Sequence, residues 1–347
     1  MGDVNIWMIV GFLLAAYSVV ANDSLQTLGT YISSNKTRTP KVVQMGFICS
    51  VTVIVLMLGF FLNDGDPAWG RLEKFELPEP FGWVYVIPPI AVLALTQWGA
   101  PVSTSFLVLS SFKPANIGKL LGSSLSGYFL AFALGLAGYG LGMWLLERWV
   151  FRRTQEGKDF NRVWYGLQWV STGFLWSMWL VQDLANIFVF LPRKLDVFPM
   201  AICTAVLCVG LCFLVASGGG PIQAVLRSKT NTYDLRSATV IDFFFGLCLL
   251  YKAFLSTFPL STTWVFLGLL GGREIALRIK EQEFEYTFTN RESGNLGKII
   301  GSDLWKAFIG VVVSLVIALG IQPLLSVGYS RRAARCGHQA ARPCVKV

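Results

Sequence analysis

The chain has 347 residues, of which 54% are hydrophobic and 14% charged, and its mean hydropathy is +0.57. Soluble domains carry about 25% charged residues, so this composition excludes a soluble protein and predicts an integral membrane protein. The formal net charge of +9 is therefore attributed to loops that orient the chain in the membrane, and nucleic-acid binding is not expected.

Apolar segments long enough to cross a bilayer, about 20 residues each, follow one another along the chain. Six are predicted to be spanning helices: 6–32, 42–62, 119–146, 163–190, 198–217 and 304–325.

Two further apolar stretches, 81–112 and 238–272, are each interrupted near the middle by a Pro-x-Ser-Thr sequence. Such a break frees backbone groups that lipid cannot satisfy, so it must be buried in protein or line a wet cavity. We predict that both stretches are re-entrant helical hairpins.

A two-part sequence pattern occurs twice. Ala-Asn-Asp-Ser-Leu-Gln at 21–26 precedes Pro-Val-Ser-Thr-Ser at 101–105, and Val-Gln-Asp-Leu-Ala-Asn at 181–186 precedes Pro-Leu-Ser-Thr-Thr at 259–263. Asp23 lies 78 positions before Pro101, and Asp183 lies 76 positions before Pro259. Two ordered pairs at matching separation indicate an internal duplication.

Lysine and arginine predict the orientation. If the N-terminus is outside, the inner loops 33–44, 147–162, 218–237 and 272–303 contain 16 basic residues, whereas the outer loops contain six. Basic residues favour the cytoplasmic side, so we expect a multi-pass protein of the cell (inner) membrane with its N-terminus outside.

Each half then has three spans and one hairpin. Because three crossings are an odd number, the second half enters from the opposite side, and the halves form an inverted-topology repeat with two re-entrant hairpins and broken helices in an all-α polytopic membrane protein. The expected division is a first repeat at 1–147, a cytoplasmic linker at 148–162, a second repeat at 163–330 and a disordered basic tail at 331–347. This organisation is typical of secondary transporters, whose substrate site lies between the repeats.

The repeated acidic motifs predict a cation site. Asp23 and Asp183 fall within predicted spans, where an unpaired carboxylate costs a few kcal/mol and usually marks an ion or proton pathway. Carboxylate and amide oxygens suit a hard cation such as sodium. An alternative is that these groups only satisfy the ends of broken helices. The candidate ligands are Asn22, Asp23, Gln26, Gln182, Asp183 and Asn186.

The repeated hydroxyl motifs predict an oxyanion site. Proline favours a helix start, Ser or Thr caps it, and the free N–H groups with the helix dipole attract an anion. The alternative is that the hydroxyls only cap helix fragments or join helices. The candidate residues are Ser103, Thr104, Ser105, Ser261, Thr262 and Thr263.

Two other features bear on function. Lys252 could add positive charge near the anion, pair with Asp242, or extend to the inner interface. His338 is the only histidine, and there is no Gly-x-Ser-x-Gly motif, so we do not expect an enzyme.

At its four repeated motifs the chain resembles the inorganic phosphate transporter (PiT) family. The family signatures are a repeated Gly-Ala-Asn-Asp-Val-Ala-Asn and a repeated Pro-Val-Ser-Thr-Thr-His, and the resemblance extends over residues 5–326. It implies a sodium- or proton-coupled carrier of phosphate, or of sulfate as in some relatives, with an inverted repeat and two hairpins. It also implies that Asn22, Asp23, Asp183 and Asn186 bind cations and that the Ser-Thr tips bind phosphate.

Four departures from the family pattern bear on the candidate sites. Gln26 and Gln182 replace asparagines, and Phe106 and Trp264 stand where the signature has histidine. The longer glutamine side chains could change ion geometry, so the coupling ion and the choice of oxyanion stay open.

From residues and resemblance together, we predict sodium-coupled symport of inorganic phosphate by alternating access, with no organic cofactor. The expected partners are phosphate or a related oxyanion and membrane lipid, and a homodimer is an alternative to a single copy of the chain. Alternatives are a sulfate or other oxyanion carrier, a passive anion channel or a non-transporting receptor.

Overall fold

The computed structural model describes residues 4–97, 103–142, 159–218, 235–255, 259–283 and 308–320, together with 301 and 305. All the regular secondary structure within these ranges is helical, which confirms the all-α prediction. The α-helices are α1 Ile6–Ser18, α2 Ser24–Asn35, α3 Lys41–Leu62, α4 Ile87–Gln97, α5 Thr104–Phe112, α6 Ile117–Ala137, α7 Asp159–Gln182, α8 Val197–Ser217, α9 Leu235–Leu255, α10 Thr262–Glu283 and α11 Phe308–Gly320.

Shorter helical segments extend or interrupt these helices. The π-helical segments are Val19–Asp23 and Gly138–Gly142, and the 3-10 segments are Trp83–Val86, Pro114–Asn116 and Leu184–Phe190.

Five of the described helical segments are long and apolar enough to cross a membrane. They are Ile6–Asp23, Lys41–Leu62, Pro114–Gly140, Arg162–Phe190 and Val197–Ser217. These match the first five predicted spans, and α11 lies within the sixth. Large apolar side chains on their outer faces are exposed, as in Val42 (77%) and Phe198 (75%). Lipid covers such faces in a membrane protein, so the chain is a multi-pass membrane protein.

Helices α3 and α8, which come from the two predicted halves of the chain, run antiparallel. Lys41 at the start of α3 donates to the carbonyl of Ala216 at the end of α8 (2.7 Å), and Leu195 N donates to Gly65 O beyond their other ends (3.0 Å). This pair of contacts fixes the loop after α3 and the loop before α8 on the same side of the molecule.

The first spans of the two predicted halves also run antiparallel. The rings of Phe12 in α1 and Phe188 in the 3-10 segment Leu184–Phe190 lie 5.4 Å apart, and Asn35 at the end of α2 donates to Gln168 in α7 (3.0 Å). The continuous segment from α1 to α2 is therefore antiparallel to the segment that contains α7.

The first apolar stretch with an internal break forms a hairpin of short helices. Its arms, α4 and α5, contain 11 and nine residues. The rings of Tyr85 and Phe112 lie 5.0 Å apart, so the chain enters and leaves at the same end. Pro101 lies outside the described residues.

The second such stretch has longer arms. Its helices, α9 and α10, pack through Phe245 and Phe266, whose rings are 5.6 Å apart, and contain 21 and 22 residues. We expected the hairpin to end near Gly272, but α10 continues to Glu283. The residues after Gly272 include neither proline nor glycine and are rich in Glu, Lys and Arg, so they continue the helix beyond the apolar stretch.

Two glycines bring α10 into backbone contact with α6. A Cβ atom added to Gly268 would meet the carbonyl oxygen of Tyr128, and one added to Gly272 would meet that of Phe132. Small residues four apart on one helix face allow such close packing in membranes. This contact positions the start of α10, which carries Thr262 and Thr263.

Candidate functional site

Both motif aspartates lie where a regular α-helix is interrupted. Asp23 ends the π-helical segment between α1 and α2, and Asp183 lies between α7 and the 3-10 segment that follows. Both side chains are buried, with relative exposures of 0% and 1%. Helix interruptions inside a membrane protein free backbone groups and often occur at functional sites.

Asp183 joins the tips of both hairpins. One carboxylate oxygen accepts a hydrogen bond from the Ser105 hydroxyl of the first hairpin, and the other accepts from the Thr262 hydroxyl of the second. Trp179 Nε1 donates to the same Thr262 oxygen at 3.2 Å, so this hydroxyl is oriented with its hydrogen toward Asp183. The structure thus brings together three residues that the sequence places far apart.

Asp23 has a different set of donors. Its Oδ1 accepts from the Asn22 side chain (3.0 Å), and its Oδ2 accepts from the backbone N–H of Thr104 (3.3 Å). Asp23 and Asp183 lie close together, because they contact the adjacent residues Thr104 and Ser105. Two buried carboxylates that share one region favour binding of cations there.

The last amide of each acidic motif contacts the hairpin of the other half. Gln26 Nε2 donates to Thr263 Oγ1 at 3.2 Å, and Asn186 Nδ2 donates to Ser105 Oγ at 2.9 Å. Gln26 and Asn186 occupy the same place in the two motifs, as do Ser105 and Thr263. The two contacts are therefore equivalent.

The oxygens of these two amides have no hydrogen-bond donor among the residues that the structure describes. Gln26 Oε1 and Asn186 Oδ1 are both buried, and so is the Thr104 hydroxyl, which likewise lacks a partner there. An unsatisfied buried acceptor costs about 1–3 kcal/mol, so these atoms are suited to bind a ligand. Amide oxygens are ligands that hard cations prefer.

The remaining motif residues mainly stabilise the tips. Ser103 caps α5 by accepting from Phe106 N (3.2 Å), and Ser261 accepts from Trp264 N in the same way (3.4 Å). The predicted capping thus forms at both equivalent positions. Gln182 differs from Asn22, because its amide nitrogen donates to Leu249 O of α9 at 3.5 Å.

Two buried charged residues near these helices were not assigned a site from sequence. Asp242 of α9 accepts from Thr30 and Thr172, at 2.6 Å each, and so connects α2, α7 and α9. The suggested pairing of Lys252 with Asp242 is not formed, and Lys252 donates instead to Ser126 Oγ (2.5 Å).

The second buried charged residue is Arg71, in the loop between α3 and the first hairpin, with a relative exposure of 8%. No repeated pattern marks either residue.

The comparisons with known proteins bear on the fold. No protein-family model and no curated protein sequence gives a significant match to the chain. Among solved structures, a protein described as the sodium-dependent phosphate transporter matches 93% of this chain and 98% of its own, with a TM-score of 0.64 and 14% identity. The chain has the fold of that transporter. The similarity supports the all-α polytopic transporter fold that the sequence predicted, and at this identity it describes the fold alone.

Proposed function

We propose that the protein is a secondary active transporter that carries inorganic phosphate across the membrane together with sodium. The observation that carries the proposal is the double hydrogen bond of Asp183 to Ser105 and Thr262, which joins a buried carboxylate to hydroxyls of both hairpin tips. The fold shared with a sodium-dependent phosphate transporter supports the same function.

The cation-binding role is assigned to the two acidic motifs. Asp23 and Asp183 provide charge, and Gln26 Oε1 and Asn186 Oδ1 provide buried acceptors without donors. Sodium accepts such oxygen ligands without histidine or cysteine. Asn22 and Gln182 complete the proposed set, Asn22 through its contact with Asp23 and Gln182 through its place in the motif.

The oxyanion-binding role is assigned to the tips, and it supplies a reason for coupling. Ser105 and Thr262 donate their hydroxyl hydrogens to Asp183, and each hydroxyl has one hydrogen. Sodium bound to Asp183 would compete for the carboxylate oxygens and free both hydroxyls to donate to an oxyanion. Each ligand would then raise the affinity for the other, as linkage requires.

We further propose that the two halves form the inverted repeat predicted from sequence. The antiparallel pairing of α3 with α8, and the equivalent contacts of Gln26 with Thr263 and Asn186 with Ser105, support this arrangement. Alternating access would then expose one shared site to either side of the membrane.

The proposal is tested by uptake of labelled phosphate into proteoliposomes that contain the purified protein. We expect accumulation above the external concentration with an inward sodium gradient, and little uptake with potassium in its place. Equal uptake in both conditions would rule out sodium coupling, and uptake that stops at equilibration would indicate a passive channel. Stronger competition by sulfate than by unlabelled phosphate would reassign the substrate to sulfate.

A further inference from the structure

Arg71 is a buried cation with one unused edge. Its Nε and Nη2 atoms are buried and have no acceptor among the described parts of the chain. These two nitrogens form the side edge of the guanidinium, where two parallel N–H bonds match two oxygens of a carboxylate or phosphate. A buried charged edge without hydrogen-bond partners costs free energy. Its presence in this protein therefore points to a ligand that binds it.

Arg193, on the same side of the molecule, shows how a structural arginine is satisfied in this protein. Its three nitrogens donate to backbone carbonyl oxygens, which include Phe75 O at 2.6 Å and Leu191 O at 2.9 Å. Burial lowers the pKa of Arg193 to about 10, and attraction to Asp66 opposes this effect. Arg193 thus stabilises the loop that carries Arg71, and its hydrogen bonds are used within the protein.

The loop holds Arg71 in a defined position. Asp66 accepts from Ala68 N (2.7 Å) and Gly70 N (2.8 Å), which fixes the turn immediately before Arg71. Gly70 has a φ of +70°, a conformation that glycine adopts without strain. The hydrogen bond from Leu195 N to Gly65 O, at 3.0 Å, attaches the loop to the second half.

Arg71 lies near the candidate site but does not neutralise it. Burial lowers the pKa of Arg71 to about 10, and the attraction of Asp183 opposes this change, so the side chain is charged at neutral pH. The two groups form no ion pair within 4.0 Å. Both oxygens of Asp183 accept instead from Ser105 and Thr262.

We propose that Arg71 binds the transported oxyanion directly, through its Nε and Nη2 edge, together with the hydroxyls of the hairpin tips. This inference rests on the proposed transport function and adds to it a specificity-determining residue outside the repeated motifs. The positive charge of Arg71 offsets the repulsion that two carboxylates exert on an approaching anion. The same charge repels sodium. Arg71 is therefore expected to raise the affinity for the oxyanion and to lower the affinity for sodium.

The test is the variant Arg71→Met, which keeps side-chain length and removes the charge and both donors. We expect the KM for phosphate in proteoliposomes to rise by about 10- to 100-fold, as loss of charge-assisted hydrogen bonds implies. In a sodium titration of phosphate-free protein, followed by tryptophan fluorescence, the half-saturating concentration should stay equal or fall. The Tm without phosphate should stay equal or rise, because an unpaired buried charge has been removed.

Two further variants separate anion binding from general effects. Lys74→Met removes the same charge from a half-exposed position of the same loop and should leave the phosphate KM within about twofold. Arg71→Lys keeps the charge without the two-donor edge and should give an intermediate KM.

A merely structural role predicts a lower Tm and weaker binding of both ligands in Arg71→Met, and that result would overturn the inference. An unchanged phosphate KM would also overturn it while leaving transport intact. If the unmodified protein shows no sodium-dependent uptake, the transport proposal fails on its own. The Arg71 site is then tested by whether phosphate or sulfate raises the Tm of the unmodified protein but not of Arg71→Met.

Discussion

At the scale of single residues, the two motif aspartates are equivalent in sequence but not in their contacts. Asp183 accepts from two hydroxyls that belong to different hairpins, whereas Asp23 accepts from an amide and a backbone N–H. Asp183 thus has a hydroxyl donor from each hairpin tip. Under the proposed function, a cation bound at Asp183 would compete with hydrogen bonds from both tips.

Replacement of either carboxylate by its amide should impair coupling. Asp23→Asn and Asp183→Asn remove a charge at a buried position, so sodium-dependent phosphate uptake should fall by about 10-fold or more in each. We expect the larger loss of phosphate affinity in Asp183→Asn, because the amide cannot accept from both tips. Uptake at a series of sodium concentrations measures both effects.

Glu76→Gln provides the matched control. Glu76 is exposed and pairs only weakly with Lys113, at 3.6 Å, so removal of its charge should leave sodium dependence unchanged. Normal sodium dependence in both aspartate variants would contradict the roles assigned to Asp23 and Asp183.

Repetition in the sequence is the signal behind the predicted site residues, and it cannot mark a residue that does not repeat. The second motif copy made Asp23, Asp183 and the hydroxyl tips recognisable. Arg71 lies in a polar loop beside acidic residues, where a solvated arginine is the ordinary expectation. The loop that carries Arg71 is attached through a hydrogen bond between Leu195 and Gly65, residues 130 positions apart, and no local pattern encodes that contact.

At the scale of helices, apolar length predicted the spans but not their internal geometry. The segment 6–32 has the composition of one continuous helix, yet a π-helical segment interrupts it at Val19–Asp23. The interruption lies at the acidic motif. There, side-chain and tertiary contacts determine the backbone conformation, and local helix propensity does not. The length of α10 was likewise underestimated, because hydropathy marks the membrane boundary and not the helix end.

The contact of α6 with α10 yields a prediction about stability. Gly272→Ala should lower the stability of the protein in detergent by about 1–3 kcal/mol, because its Cβ atom would meet the backbone of Phe132. A thermal melt should therefore show a lower Tm. Since α10 carries Thr262, we also expect a weaker effect of phosphate on the Tm.

Gly271→Ala is the control at the adjacent position. Its Cβ atom would lie 3.5 Å from the Phe132 side chain, an ordinary contact. Alanine also favours the helix by about 0.5–1 kcal/mol, so this variant should keep or raise the Tm. Equal Tm values for the two variants would contradict the proposed role of Gly272 in packing.

At the scale of the whole molecule, the structure places the two ends of α3 on opposite sides. Lys36 lies in the exposed connection before α3, and Glu73 lies in the exposed part of the loop after it. The 16 basic residues of the predicted inner loops, against six outside, predict that Lys36 lies inside and Glu73 outside. The orientation of Arg71, in the same loop as Glu73, depends on this assignment.

Cysteine labelling in intact cells tests the orientation. In a background without Cys336 and Cys344, Glu73→Cys should react with a membrane-impermeant maleimide, and Lys36→Cys should react only after permeabilisation. Labelling of both positions in permeabilised cells controls for accessibility. The reverse pattern would place the N-terminus inside and the Arg71 loop at the cytoplasmic face, so that Arg71 would meet the oxyanion at its release and not at its entry.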